Sequence, residues 1–173
     1  MRIALQIDVG VGNAIVPRPE ELEYPTLLKF PAPRLHAYSK DSVVAEKFEA
    51  IVKLGMANSR MKDFYDLWVL AQRFEFESAT LSAAIQATFE TRGTTLPTAS
   101  PLALRADFYD LATKQTQWRA FLRKSGLRGD SSLQKIILII EMFVMPVVEG
   151  ILKNDIEVKV WSAAGPWKTG GRL

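Results

Sequence analysis

Five prolines crowd residues 14 to 37: Pro17, Pro19, Pro25, Pro31 and Pro33. Each fixes its own φ and removes a backbone donor, so no long helix can form there. Before them the chain alternates strictly. Ile3, Leu5, Ile7, Val9 and Val11 share one face, and Ala4, Gln6, Asp8 and Gly10 share the other. A period of two over that length predicts a half-buried strand, ended by Gly10-Val11-Gly12-Asn13. Thr26–Phe30 and Arg34–Tyr38 can be short strands between the prolines. After Tyr38 the pattern changes to helical spacing and stays there. The expected class is α+β: a few N-terminal strands followed by a helical bundle.

The helical half divides at its punctuation. Ser39 is the expected N-cap of a helix running to about Leu54, with Gly55 as its stop. Ser59 can cap the next, which reaches about Phe74. Thr80–Phe89 is a further candidate, and Gly93, Pro97 and Pro101 mark a loop. Asp107–Lys124 places Phe108, Leu111, Gln115, Trp118 and Leu122 on one stripe. Gly126–Asp130 is a turn, and Ser131–Leu152 is the most apolar helix. Glu141 interrupts that stretch and Pro146 breaks it, so it falls short of the ~20 residues of a membrane span. Residues 162–173 are rich in Gly and look frayed. The division expected is a partial sheet over 1–38, a helical domain over 39–161 and a flexible tail over 162–173.

Composition excludes some chemistry. With no cysteine, disulfides, thiolate metal sites and cysteine nucleophiles are ruled out, and a reducing, cytoplasmic setting is expected. A net charge of +3 is too mild to argue nucleic-acid binding by itself. Arg119, Arg123, Lys124 and Arg128 could still form a local basic patch. The single histidine, His36, has no neighbour at ligand spacing and reads as a surface residue. Gly10-Val11-Gly12 is half of a dinucleotide fingerprint, but the following prolines deny it a helix, so a turn is the better account.

Two helices carry residues in unusual places. Wound at 100° per residue, residues 43 to 54 put Val43, Val44, Phe48, Ala50, Ile51, Val52 and Leu54 on a broad apolar face. Glu46, Glu49 and Lys53 take the polar one. Lys47 falls inside the apolar arc, where it must snorkel out or meet a negative partner. Asp63 and Asp66, three apart on the next helix, lie on one side of it and are candidates for that partner. Asp66 could instead pair with Arg73 or Lys62, and the structural and functional readings stay open. Asp8 is also unusual, because aspartate is disfavoured mid-strand. It shares its face with Gln6 and is followed by small residues that would let a ligand approach; a solvated edge position is the alternative.

The string Ile7-Asp8-Val9-Gly10-Val11-Gly12, Tyr38-Ser39, Ala45-Glu46-Lys47 and Ser59-Arg60-Met61-Lys62-Asp63-Phe64-Tyr65-Asp66-Leu67 resembles the nucleotidyltransferase toxins of the AbiEii/AbiGii type. These are the toxin halves of type IV toxin–antitoxin and phage abortive-infection systems. The resemblance is close over about residues 3 to 72. It implies a nucleotidyltransferase sheet followed by a helical domain, and magnesium-dependent attack on the α-phosphate of an NTP, GTP among the candidates. In some relatives the acceptor is the end of a tRNA. Carried over, Asp8 is a sheet carboxylate and metal ligand, Lys47 a motif lysine, and Asp63 and Asp66 the paired aspartates of the last motif. Lys47, Arg60 and Lys62 would bind the nucleotide, and an antitoxin would be encoded nearby. The family begins with a Gly-Ser segment and an Asp-x-Asp pair, and this sequence starts after both. The chain is therefore expected to be a fragment, a product of an internal start or a relic, and to be inactive alone. An unpaired strand edge beside residues 3–11 would invite self-association. The competing reading is a non-catalytic interaction protein that reuses the helical half.

Overall fold

The computed structural model describes residues 12, 14–127, 132–154 and 157–170. The strand expected over 3–11, with Asp8, lies outside the described residues, as does Arg128. The class is α+β, as the change of period implies. Strands β1 (Glu20–Glu23) and β2 (Arg34–Ala37) form an antiparallel hairpin that pairs Leu22 with Leu35 and Glu21 with His36. The strand expected at Thr26–Phe30 does not form; it is the hairpin's connection. Pro25, Pro31 and Pro33 flank it and supply no donors for a ladder. Instead the Thr26 hydroxyl bonds within the loop, to the carbonyls of Leu28 and Phe30.

Helix α1 (Lys40–Leu54) begins as expected. The Ser39 side chain accepts the Ser42 N–H at 3.1 Å, and the N–H of Gly55 returns to the Ile51 carbonyl. Ser42 also ties the preceding chain down, because its hydroxyl donates to Val16 O and accepts from Val16 N. A turn of 3-10 helix (Gly55–Ala57) leads to α2 (Met61–Arg73), then β3 (Phe76–Glu77) and α3 (Ser78–Arg92). Helix α1 packs on α3 and α2, and α6 (Leu133–Lys153) crosses behind α2 and α3. Phe48 meets Phe89 at 5.6 Å and Phe64 meets Phe108 at 5.4 Å between ring centroids. Each buried ring of this kind contributes roughly 1.5–3 kcal/mol of transfer free energy.

Three elements depart from the spacing argument. The helix expected over 107–124 is split into α4 (Ala106–Tyr109) and α5 (Ala112–Lys124), with Leu111 extended between them. A single straight helix would have placed Leu111 with Phe108 and Trp118. The break leaves Leu111 43% exposed while Phe108 and Trp118 are buried. The Gln115 side-chain amide donates to the freed Tyr109 carbonyl. Pro146 does not break α6, which continues to Lys153. Proline removes its own N–H from the helix ladder and so leaves the Met142 carbonyl without its i+4 donor. Pro146 and Met142 are both on the exposed face, where water can take that place. No helix among the described residues is long and apolar enough to cross a membrane.

The C-terminal part is the third departure. Residues 162–170 are not frayed: β4 (Lys159–Trp161) and β5 (Trp167–Thr169) pair, and β4 also pairs with β3. Two tryptophans outweigh the glycines. The Trp161 indole donates to Ala71 O at 2.8 Å, and that of Trp167 donates to Phe143 O at 2.8 Å. Gly165, at φ +72°, lies against the Trp161 ring so closely that a Cβ would sit 2.4 Å from it.

Candidate functional site

The site is built where α1 and the start of α2 meet. The turn before α2 is held by Asn58, which is fully buried. Its Oδ1 accepts the Arg60 N–H at 2.8 Å, and the Asp63 N–H bonds to Arg60 O at 2.9 Å. Arg60, not Ser59, is the N-cap residue, and it makes no side-chain cap. Asn58 instead fixes the turn just before the helix, through the N–H of the N-cap residue. Asp63, in the first turn, complements the helix dipole.

Lys47 lies within reach of both aspartates, one of the two outcomes its place in the apolar arc allowed. Its Nζ is 2.7 Å from Asp63 Oδ1 and 2.7 Å from Asp66 Oδ2. Asp66 Oδ2 is also 2.6 Å from Lys62 Nζ, so the local pairing with Lys62 forms as well. Burial pushes the Lys47 ammonium down, but the hydrogen bonds and charges of Asp63 and Asp66 outweigh it and hold it above its ordinary range. The lysine is therefore a charged, oriented donor. An ammonium has three N–H groups; two are directed at the aspartates and one remains.

That ammonium borders a pocket of about 210 Å³ lined by Tyr38, Val43, Glu46, Lys47, Ala50, Arg60, Asp63 and Arg92. Arg60 faces it with no carboxylate partner among the described residues. Arg92, from the end of α3, is the residue that sequence reasoning missed. Its Nη1 is 2.8 Å from Glu49 Oε2 and its Nη2 is 3.4 Å from Glu46 Oε2. Glu49, expected on the polar face of α1, is buried, and the Thr94 hydroxyl also donates to it. No signal in α1 could announce this, because the partner lies on another helix. Glu46 Oε1 has no hydrogen-bond partner among the described residues.

A second, more open groove of about 580 Å³ continues from the same turn. It runs from Ser59 to Asp63 across to Gln117, Ala120, Phe121 and Lys124 of α5. Lys62 lines this groove rather than the pocket. Of the residues singled out in the sequence, Lys47, Arg60, Lys62, Asp63 and Asp66 are therefore brought together, and Asp8 lies outside the described residues. His36 is exposed on β2, opposite Glu21. No group of three or more His, Cys, Asp or Glu among the described residues could hold a metal ion.

Comparison with known proteins turns this geometry into a family. No curated protein and no solved structure matches the chain significantly. The family model described as "Nucleotidyl transferase AbiEii toxin, Type IV TA system" matches residues 1–137, which include the whole pocket. A toxin–antitoxin family implies an antitoxin partner. With most of its 173 residues matched, the chain belongs to the AbiEii family of nucleotidyltransferase toxins of type IV toxin–antitoxin systems.

Proposed function

We propose that the pocket between α1 and α2 binds the triphosphate of an NTP, GTP among the candidates, for transfer of a nucleotidyl group to an acceptor such as tRNA. The observation that carries this reading is the Lys47 ammonium, fixed by Asp63 and Asp66 at 2.7 Å each, in a pocket wall that also presents Arg60 and Arg92. A phosphate chain needs oriented cations, and guanidinium groups suit its oxygens in pairs. In this reading Asp63 and Asp66 act by holding Lys47 charged and aimed, and Lys62 extends the cationic surface into the groove. That groove, with Arg60, Lys62, Lys124 and the Phe121 ring, has the cations and the stacking surface that suit a nucleic-acid end.

Magnesium, when bound, would neutralise phosphate charge during attack on the α-phosphate. Asp8 is its proposed ligand. Asp63 and Asp66 are directed at Lys47, and the described residues form no metal-binding group. We further propose that these 173 residues alone transfer no nucleotide, because they carry no Gly-Ser…Asp-x-Asp segment.

A second reading, a non-catalytic interaction protein, is favoured by one observation. Leu27, Leu28 and Phe30 in the β1–β2 connection are at least 68% exposed. The two are separated by incubating the chain with each labelled NTP, magnesium or manganese, and bulk tRNA, and by titrating it with NTP. Weak binding that falls about tenfold in Arg60→Ala, without transfer, supports the proposal. Absence of any binding favours the interaction reading. Robust transfer that disappears in Asp8→Ala would overturn the inactivity.

A further inference from the structure

Lys114 on α5 is only 5% exposed, and no carboxylate pairs with it among the described residues. Burying an ammonium this way is costly unless something specific receives it. Its Nζ donates to the Asn58 carbonyl at 2.8 Å and stands 4.8 Å over the Phe108 ring. Desolvation pushes it below the ordinary lysine range. A methionine there would fill similar space at no electrostatic cost, so the charge asks for a reason at its acceptor.

The acceptor is the residue on which the site's geometry turns. Asn58 is 0% exposed, and its N–H bonds to Gly55 O at 3.1 Å. Its side-chain oxygen takes the Arg60 N–H, and the next bond in line joins Asp63 N to Arg60 O. Lys114 thus grips, from outside the α1–α2 pair, the turn that carries one pocket cation and the aspartate that orients the other. A charge-assisted bond is about twice as strong as a neutral one, which suits a carbonyl that must not drift.

We propose that Lys114 is a positioning residue: its ammonium, by holding the Asn58 carbonyl from α5, sets the turn that aims Arg60 and Asp63 at the pocket, and so sets affinity for a triphosphate it never touches. The part concerning affinity rests on the functional reading above; the part concerning the turn does not.

The experiment uses the full chain, inorganic triphosphate as probe, and amide hydrogen exchange over residues 58–63. Lys114→Met should weaken triphosphate binding about tenfold and speed exchange of the Arg60 and Asp63 amides by about as much. Lys114→Arg, which keeps a charged donor, should restore most of both. Val147→Ala, on α6 beside a different cavity, is the control for a general loss of stability. At a comparable unfolding midpoint it should leave both readouts within about twofold of the parent. Should Lys114→Met fail to fold, Lys114→Leu, which also removes the donor, carries the same comparison. Unchanged exchange at 60–63 in Lys114→Met, or an equal change in Val147→Ala, would overturn the proposal. If the parent chain binds no triphosphate, the functional reading fails instead, and the exchange comparison still decides the role of Lys114.

Discussion

The Lys47 ammonium is held between two carboxylates, 2.7 Å from each. Its side chain is 19% exposed and those of Asp63 and Asp66 are 16% and 25% exposed, so the group is partly buried and weakly screened. Removing the cation leaves two carboxylates facing each other with only Lys62 for company. Lys47→Met should therefore destabilise the fold by about 1–3 kcal/mol in urea unfolding, less than a fully buried pair would lose. Adding Asp63→Asn should recover part of that loss. The sign of the pH dependence follows from the raised pKa. The contribution of Lys47 is fully present below a lysine's usual 10.5 and is lost only as pH rises through its higher folded value. Asp41 behaves in the opposite way. Burial at 4% exposure pushes its carboxyl up from 3.8, and the nearby Lys40 only partly offsets that. Its cost is absent below 3.8 and appears as pH rises through the folded value. Asp41→Asn should raise Tm at about pH 7 and give no gain at about pH 3; a gain at both would show that charge is not the cause.

At the scale of elements, the caps of α1 were legible, while the cap of α2 and the breaks were not. Ser39 and Gly55 bracket α1 as their chemistry demands, since the orphan N–H and C=O groups at helix ends need local partners. Pro146 misled, because whether a proline ends a helix depends on which side of it faces water. The split between α4 and α5 was hidden for a related reason. Phe108, Leu111 and Trp118 fit one helical stripe, but the core around Phe64 and Tyr65 takes Phe108 and Trp118 in separate places. The last strands were hidden by glycines, of which Gly165 clears space for the Trp161 ring. Gly165→Ala should cost roughly 2–4 kcal/mol, from a strained positive φ and from the clash with Trp161. Tryptophan fluorescence should report the displaced ring together with the shifted unfolding midpoint. An unfolding midpoint unchanged from the parent would mean that the Trp161 turn is not held as described.

At the scale of the molecule, stability is uneven. Helices α1, α2, α3 and α6 share one apolar core, whereas β1 and β2 are exposed along nearly their whole length. A two-stranded hairpin with no covered face is marginal in water. Limited proteolysis should therefore cut first between residues 24 and 33, while amides of α1 and α6 exchange slowest. Protection of that connection on adding a partner would favour the interaction reading, and protection on adding NTP would favour the pocket.

The α+β class, the bounds of α1, the place of Lys47 in its apolar arc and the shared side of Asp63 and Asp66 on α2 were legible in the sequence alone. Each rests on spacing or capping along one helix or strand, where geometry is local. What only the tertiary structure decided is the company those residues keep. Arg92 reaches the pocket from α3, Glu49 turns inward to meet it, and Lys114 reaches Asn58 from α5. No periodicity along α1 or α2 encodes these contacts, because each depends on how far apart and at what angle two separate helices come to rest. That is set by the packing of Phe48, Phe64, Phe89 and Phe108 between them, which spacing along a single element cannot express.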